Sequence, residues 1–368
     1  MKFNELDTPA LLIDREILMK NLNWMQEYAD RQKVNLRPHT KTHKMPLIAQ
    51  IQLEQGACGI AVAKVGEAEV MVKNGLTDVF IANEIVGRQK LERITELTKS
   101  ARISFGVDCP QQVLAVEDVF AKANSMANVL IEIEVGENRS GIIEEDEFIT
   151  LLDSIRTAPH VHFQGLFSHD GNSYEAQNLE ELHDIAKTAQ ERTLHFAEIA
   201  REYEMVCETV SYGATPTLMN EVEILSGITE IRPGTYALMD ASQGNAVGTL
   251  EYCAATVLAT VMSRPTDERV ILDVGAKGLT MQERTIGICA TPGKGTIMDH
   301  PETYIDSVFD EHAIIKNKVF RSEVEIGDKV RIIPVHICPV CNLYESAWLI
   351  TGEEVIAEIP ILARGKLL

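Results

Sequence analysis

Short apolar runs alternate with helix-like segments from residue 34 to residue 231, and this alternation constrains the fold more than any other feature. The runs that predict strands lie at 34–36, 59–62, 79–81, 103–107, 129–134, 161–167, 209–212 and 229–231. The patterns that predict helices lie at 45–54, 65–74, 88–97, 111–123, 144–158 and 175–203, with a shorter connection at 217–227. Strands that alternate with helices form a parallel sheet through right-handed crossovers, so eight such units predict an α/β fold of the closed, TIM-like (β/α)8 type. A doubly wound open sheet is the alternative, but no G-x-G-x-x-G follows the first strand.

The pattern changes near residue 240, where helical periodicity fades and Gly, Pro and Asp turns break the chain. Strands are predicted at 253–261, 270–274, 329–334 and 348–350. A further strand at 8–14 precedes the first helical pattern at 15–31 and can join this second sheet. We therefore predict two domains: the barrel over residues 12–240, and a β-rich domain made of residues 1–11 and 241–368.

Charge and cysteine content exclude several classes of function. Acidic residues outnumber basic ones 55 to 34 and give a formal net charge of −21, which disfavours nucleic acid and anionic membranes as partners. No apolar run reaches the length of a membrane span, and residues 1–7 show no signal-peptide core. Seven scattered cysteines fit a reducing compartment better than a disulfide framework, so we expect a cytoplasmic protein.

Residues 37–44, with the sequence Arg-Pro-His-Thr-Lys-Thr-His-Lys, place three cations and two imidazoles in the loop after the first barrel strand. Active sites of such barrels lie at the C-terminal ends of the strands. Neighbouring cations make a lysine easier to deprotonate, and a deprotonated lysine is a nucleophilic amine that can condense with an aldehyde. A solvated basic turn is the plainer interpretation of the same charges, and the position of the loop favours the reactive lysine.

The loops after later strands add polar groups that would meet at the same end of the barrel. They are residues 137–141, 168–172, 212–217 and 232–236, and the last two are rich in glycine and threonine. Backbone N–H groups and hydroxyls in such turns commonly hold a phosphate group in barrel enzymes. A reactive lysine, an arginine and a phosphate-binding turn together indicate pyridoxal phosphate as the cofactor.

The chain resembles the D-threonine aldolase and D-serine dehydratase family, which has the fold type III arrangement of alanine racemase. The resemblance is carried, in family order, by residues 7–10 (Asp-Thr-Pro-Ala), 37–44, 213–217 (Gly-Ala-Thr-Pro-Thr), 232–236 (Arg-Pro-Gly-Thr-Tyr) and 334–342 (Pro-Val-His-Ile-Cys-Pro-Val-Cys-Asn). It implies that Lys41, not Lys44, carries the cofactor and that Arg139 lies near its phenolic oxygen. The other cofactor-binding residues that it implies are His169, Tyr212, Gly213, Thr215, Gly234 and Thr235, of which the last four form the phosphate site.

Two positions depart from the family pattern. His169 stands where the family usually has tyrosine, although alanine racemases carry a histidine beside the ring at a comparable strand end. Ala63 stands where some relatives have glutamine. Both residues bear on the surroundings of the cofactor ring and therefore on the outcome of the reaction.

His336 and Cys338 are candidate metal ligands. In the strand-like run that contains them, side chains two residues apart share one face. An imidazole and a thiolate are good ligands for Zn²⁺, and two protein ligands leave positions for substrate and water. Two other interpretations are a structural zinc site that includes Cys341, and a packed histidine beside a buried thiol. The resemblance implies a divalent metal, with Zn²⁺ in first place and Mn²⁺ as the alternative.

The resemblance implies a lyase that acts on D-3-hydroxy amino acids with pyridoxal phosphate and a metal. The reaction is either β-elimination, as in D-serine or D-threonine dehydratases, or retro-aldol cleavage, as in D-threonine aldolase. A His-x-Cys pair resembles the zinc pair of D-serine dehydratases, whereas some D-threonine aldolases have aspartate at the second position, so we lean slightly to elimination. From their position in the loop, we expect His43, or else His39, to act as an additional base near the hydroxyl group; the alternative is that each of them hydrogen-bonds the backbone.

Two other functions fit parts of the sequence. An amino-acid racemase of the alanine racemase type would use the same lysine without a metal; His169 favours it mildly, and the pair of His336 and Cys338 disfavours it. A non-catalytic pyridoxal phosphate-binding protein would consist of the barrel alone, and the long β-rich region disfavours it. The resemblance also implies a homodimer in which the barrel of one subunit and the β-rich domain of the other share each active site.

Overall fold

The computed structural model describes all 368 residues of the chain. Its strands are β1 (Ala10–Asp14), β2 (Asn35–Leu36), β3 (Ile60–Val62), β4 (Asp78–Glu84), β5 (Arg102–Val107), β6 (Ala127–Ile133), β7 (Val161–Ser168), β8 (Thr209–Tyr212), β9 (Glu230–Ile231), β10 (Ala255–Ser263), β11 (Arg269–Leu272), β12 (Gly295–Ile297), β13 (His300–Tyr304), β14 (Ser307–Val308), β15 (Ala313–Lys316), β16 (Lys329–Pro334), β17 (Ser346–Thr351) and β18 (Glu354–Pro360). Its helices are α1 (Arg15–Gln32), α2 (Pro46–Glu54), α3 (Val65–Lys73), α4 (Arg88–Leu97), α5 (Pro110–Ala123), α6 (Glu145–Arg156), α7 (Leu179–Glu202), α8 (Thr215–Met219), α9 (Ala241–Val247), α10 (Ala276–Leu279), α11 (Lys318–Glu323) and α12 (Ile337–Cys341). These elements form two units, the barrel unit (residues 25–41, 46–234 and 365–368) and the β-rich unit (residues 1–24, 42–45 and 235–364).

Eight parallel strands follow one another in the barrel unit in the order β2-β9-β8-β7-β6-β5-β4-β3. A parallel bridge between His39 and Ala61 joins the two ends of this order, with Ala61 N donating to Pro38 O and Thr40 N donating to Ala61 O, each at 2.8 Å. The sheet is therefore closed on itself, and the predicted (β/α)8 barrel is confirmed over the open sheet. The eight strands lie where the apolar runs predicted them, with ends shifted by no more than three residues.

Four strands of the barrel contribute one buried apolar cluster, formed by Ala61, Phe80, Leu130 and Phe167. The rings of Phe80 and Phe167 meet edge to face with centroids 5.1 Å apart. Burying a side chain of this size stabilises the fold by about 1.5–3 kcal/mol. The guanidinium of Arg232 lies over both rings, 5.7 Å from the centroid of Phe80 and 5.4 Å from that of Phe167. A cation is therefore buried against the apolar cluster of the barrel unit.

The helices of the barrel unit begin and end at residues suited to those positions. Pro110 lies in the first turn of α5, where its missing N–H costs nothing, and Asn124 ends that helix in the left-handed conformation with φ 47°. Asn178 precedes α7, and its side chain accepts a hydrogen bond from Glu181 N at 2.9 Å. Such caps determine where each loop leaves its helix.

The β-rich unit is built on a mixed sheet in the order β13-β12-β16-β10-β1-β17-β18, to which β11, β15 and β14 are attached through β10. The N-terminal strand β1 lies inside this sheet, antiparallel to β10 and parallel to β17. The sequence patterns predicted β10, β11, β16 and β17 but missed β12 to β15 and β18. In β13 and β18 most side chains are exposed or half-buried, so the alternation that marks a strand is absent. None of the helices combines the length and apolar composition needed to cross a lipid bilayer.

Candidate active site

Residues 37–44 are not a solvated basic turn. Every residue of the segment is buried except Lys41, which is half-buried. In the barrel unit Arg37 N donates to Ile231 O at 2.9 Å, and His39 N donates to Pro233 O at 2.8 Å. The backbone that leads to Lys41 is therefore fixed against β9, at the C-terminal end of β2.

Two buried imidazoles of the barrel unit, His39 and His169, are neutral at pH 7. Burial, and then the positive charge of Lys41, hold the pKa of both rings well below the ordinary histidine value. Nδ1 of His169 lies 3.1 Å from the carbonyl oxygen of Gly213, and because a carbonyl only accepts, Nδ1 carries the proton. Nε2 of His169 is then the nitrogen with the lone pair.

Tyr212 donates its hydroxyl to Asp170 Oδ2 at 2.8 Å, and both side chains are fully buried. Burial raises the pKa of Asp170 to about 6, although the hydrogen bond from Tyr212 opposes this shift. Asp170 is therefore mostly ionised at pH 7 and holds the phenol in one orientation. The sequence singled out Tyr212 but not Asp170, since the role of an aspartate after His169 depends on which hydroxyl reaches it.

Gly213 and Thr215 lie in the turn between β8 and α8. Gly213 has φ +124°, and a Cβ atom there would lie 2.8 Å from Cδ1 of Leu218, so only glycine suits the position. Thr215 is buried and is the first residue of α8. A turn that lacks a side chain and presents a hydroxyl fits the phosphate end of pyridoxal phosphate. Of the other two predicted phosphate residues, Gly234 belongs to the barrel unit and Thr235 to the β-rich unit.

Arg139 faces two carboxylates of the barrel unit. Its guanidinium lies 3.5 Å from Glu132 Oε1 and 3.3 Å from Glu137 Oε2, and half of its side chain is exposed. Ser140 Oγ donates to Glu132 Oε2 at 2.8 Å. Burial, followed by a hydrogen bond to Glu132, raises the pKa of Glu84 to about 9, so Glu84 is protonated at neutral pH. Protonated Glu84 therefore adds no negative charge beside Glu132, the carboxylate that Arg139 faces.

A buried chain of hydrogen bonds in the barrel unit includes Arg232, which sequence reasoning did not select as a site residue. Arg37 Nε donates to Glu230 Oε2 at 2.7 Å, and Ser211 Oγ donates to Glu230 Oε1 at 2.7 Å. Arg232 donates from Nη1 to Ser211 Oγ at 2.6 Å and from Nη2 to Ser168 O at 2.8 Å. Burial lowers the pKa of Arg232 to about 10, which leaves it charged at neutral pH. The sequence signal that could have identified Arg232 is its position directly after a predicted apolar strand.

The prediction that His336 and Cys338 lie on a strand is wrong. Strand β16 ends at Pro334, and Cys338 lies in the short helix α12, for which His336 is the N-cap residue with extended backbone. Pro339 lies in the first turn of α12, where proline favours a helix start. The start of a helix, rather than strand alternation, therefore sets the directions of the two side chains.

Both candidate ligands have hydrogen-bond partners within the β-rich unit. His336 Nδ1 lies 3.0 Å from Gln282 Oε1 and donates to it, which makes Nε2 the nitrogen that can bind a metal. Cys338 Sγ lies 3.2 Å from Thr42 Oγ1 and 3.6 Å from Thr235 Oγ1. An oriented imidazole and a hydroxyl-bonded sulfur fit the predicted divalent metal.

Cys341 does not extend this pair to a structural zinc site. It is fully buried, and burial raises the pKa of its thiol. No group of three or more His, Cys, Asp or Glu side chains is arranged to hold a metal. Two protein ligands, as in the predicted pair of His336 and Cys338, leave positions for substrate and water.

His43, which was expected to act as a base, has one ring nitrogen engaged. Its Nδ1 accepts the backbone N–H of Met45 at 3.1 Å, and the ring is buried. Neutral His43 consequently carries its proton on Nε2. This arrangement favours a hydrogen-bond donor at Nε2 over a base.

Two family models match the chain. Residues 13–242 match the alanine racemase N-terminal domain, and residues 254–350 match the putative serine dehydratase domain. A D-threonine aldolase from Arthrobacter sp. is 34% identical over 365 residues, which cover 98% of this chain and 93% of that protein. The D-threo-3-hydroxyaspartate dehydratase of Delftia sp. is 30% identical, over 90% of this chain and 91% of that protein.

Solved structures agree with these matches. The D-threonine aldolase from Filomicrobium marinum superposes with a TM-score of 0.91 at 31% identity, covering 100% of this chain and 98% of that one. Structures of the D-threo-3-hydroxyaspartate dehydratase include two variants in which a histidine and a cysteine two positions later are each replaced by alanine, and the cysteine variant is in a metal-free form. Alanine racemases at 11–15% identity share the fold, with TM-scores of 0.70–0.71.

Proposed function

The chain belongs to the enzyme family in which an alanine racemase N-terminal domain is followed by a serine dehydratase domain, and we propose that it is a lyase of D-3-hydroxy amino acids that uses pyridoxal phosphate and a divalent metal. The observation that carries the proposal is the half-buried Lys41 at the C-terminal end of β2, beside neutral imidazoles within the barrel unit.

Lys41 is the residue that we propose to hold the cofactor. Bound pyridoxal phosphate supplies an electron sink for a bond broken at Cα of the amino acid. Arg139 would face the phenolic oxygen, and His169 and Tyr212 would surround the ring. The phosphate group would be held by Gly213, Thr215, Gly234 and Thr235.

The protein groups have defined proton states for this chemistry. The Lys41 amine would remove the proton from Cα in an elimination. His169 carries its proton on Nδ1 and donates it in a hydrogen bond to Gly213 O. Its neutral ring therefore adds no positive charge beside the cofactor. His43 would donate a hydrogen bond from Nε2 to the departing hydroxyl group, since its Nδ1 already accepts the N–H of Met45.

His336 Nε2 and Cys338 Sγ would hold the metal, for which Zn²⁺ is the first choice and Mn²⁺ the second. Such an ion acts as a Lewis acid toward a β-hydroxyl group and so selects for substrates that carry one. The histidine and cysteine replaced in the hydroxyaspartate dehydratase have the spacing of His336 and Cys338, and one of those variants is metal-free.

Two outcomes are open to such a lyase. The His-x-Cys pair supports β-elimination to a keto acid and ammonia, toward which we lean. Retro-aldol cleavage to glycine and an aldehyde is the second candidate, because the Arthrobacter relative named D-threonine aldolase is 34% identical over nearly the full length. Racemisation is disfavoured, because alanine racemases resemble this chain in fold alone.

Incubation with D-serine and D-threonine tests the proposal. We expect pyruvate or 2-oxobutyrate with ammonia for elimination, or glycine with acetaldehyde for retro-aldol cleavage, and no product from the L-enantiomers. Formation of the L-enantiomer without either product set would establish a racemase and overturn the lyase. Equal turnover by a Lys41→Ala variant would remove Lys41 from the mechanism.

We also propose a cytoplasmic homodimer with shared active sites. The family resemblance supports the dimer, and the seven free cysteines support a reducing compartment. Sedimentation measures the mass in solution, and a monomer with full activity would refute the shared site.

A further inference from the structure

The carboxylate of Asp240 holds the backbone between the two candidate metal ligands. Its Oδ2 accepts the N–H of Ile337 at 3.0 Å, and Ile337 is the residue between His336 and Cys338. Asp240 is fully buried and belongs to the same β-rich unit. We propose that Asp240 is a positioning residue for the metal pair, an inference that rests on the proposed metal-dependent function.

The other oxygen of this carboxylate ties the pair to a second helix. Asp240 Oδ1 accepts from Gln243 N at 2.9 Å and from Ser242 Oγ at 2.8 Å, at the start of α9. Burying a carboxylate is costly unless hydrogen bonds compensate for the lost water, and here two amides and one hydroxyl do so. The carboxyl group is therefore held in one orientation, with both oxygens engaged.

A hydrogen bond at Ile337 N acts on both ligands at once. His336 is the N-cap residue of α12 and Cys338 lies in its first turn, so the backbone angles around Ile337 set the directions of both side chains. Gln282 and Thr42 orient the imidazole and the sulfur, but their contacts are made by side chains. Because the proposed metal site has only two protein ligands, no third residue can compensate when one of them is misplaced.

Loss of a hydrogen bond that orients metal ligands typically weakens metal binding about 10- to 100-fold. Asp240→Asn replaces one carboxylate oxygen by an NH2 group, which opposes one of the N–H donors. We expect Asp240→Asn to bind Zn²⁺ about 10- to 100-fold more weakly than the wild-type holoenzyme. The visible absorption of bound pyridoxal phosphate should be retained, because the substitution leaves Lys41 unchanged.

A matched control is Asp273→Asn in the same unit. Asp273 Oδ1 also accepts a backbone N–H, from Thr260 at 2.6 Å, and its Oδ2 accepts from Thr8 Oγ1 at 2.5 Å, so its hydrogen bonds go to β10 and the N-terminal segment and not to α12. Zn²⁺ affinity is measured by competition with a chromogenic chelator on the full-length holoenzyme. The Asp273→Asn variant should bind Zn²⁺ as the wild type does, and His336→Ala and Cys338→Ala should bind it far more weakly.

A second variant removes the donor of the same hydrogen bond and leaves its acceptor, Asp240, in place. Ile337→Pro deletes the donor N–H at the first position of α12, where proline is tolerated, and His336 already has the extended backbone (φ −141°, ψ 112°) that precedes proline. Wild-type Zn²⁺ affinity in Asp240→Asn or in Ile337→Pro would overturn the positioning role and leave the metal pair in place. Wild-type affinity in both His336→Ala and Cys338→Ala would instead overturn the metal pair itself, and the inference with it.

Discussion

Glu230 is the only carboxylate that links the two buried arginines of the barrel unit, directly to Arg37 and through Ser211 to Arg232. The substitution Glu230→Gln keeps the shape of the side chain and removes its charge. Arg37 retains Asp78, whose carboxylate lies 2.6 Å from Nη1 but is 30% exposed. Arg232 retains only the neutral oxygens of Ser211 and Ser168 as hydrogen-bond partners.

The expected loss of stability follows from the burial of the ion pair between Arg37 and Glu230. The side chains of Arg37 and Glu230 are 8% and 4% exposed, so solvent screens their interaction little. Breaking a buried ion pair by removing one partner costs about 3–5 kcal/mol, and the retained contact with Asp78 places the expected loss near the lower end, about 3 kcal/mol. For a domain of about 150–250 residues this lowers Tm by about 6–12 °C.

Thermal and urea unfolding of wild type and Glu230→Gln measure this loss. The matched control is Glu92→Gln, which removes the partner of Arg88 from a pair whose side chains are 65% and 50% exposed. Exposed pairs contribute about 0–1 kcal/mol, so the control should unfold close to the wild type. If Glu230→Gln loses no more stability than Glu92→Gln, the buried chain does not hold the barrel together as argued.

Three further predictions concern the site. Lys41→Ala should abolish the visible absorption of bound cofactor, whereas Lys44→Gln should keep it; the reverse result would move the cofactor to Lys44. Asp170 has a pKa of about 6 in the folded protein against 3.8 for the ordinary group, so the folded protein binds this proton more tightly than the unfolded chain. The folded state therefore loses about 3 kcal/mol of stability as the pH rises from below 3.8 to above 6. Asp170→Asn should remove this loss in unfolding experiments at pH 4 and pH 7, and an unchanged pH dependence would refute the assignment. Chelation should stop turnover and Zn²⁺ or Mn²⁺ restore it, with no recovery in a variant that lacks His336 and Cys338; full activity after verified metal removal would favour the racemase.

The sequence by itself determined the barrel and singled out residues 37–44 as the candidate reactive segment. Apolar alternation is a local property, and eight repeats of strand and helix leave few topologies other than a closed parallel sheet. The loop that follows the first of these strands predicted a reactive lysine, and the family resemblance implied that this lysine is Lys41. The barrel and the position of this loop can be predicted from residues that are close together in the chain.

Tertiary structure alone decided the details that control chemistry. Cys338 lies in a helix and not on the predicted strand, and the N–H of Ile337 beside it donates to Asp240, almost one hundred residues earlier in the chain. Likewise, the proton of His169 lies on Nδ1 because Gly213 O reaches that nitrogen from another strand end. Sequence periodicity records which side chains face the core, whereas hydrogen-bond partners are chosen by atoms that meet only after folding, and these partners set proton positions and ligand directions.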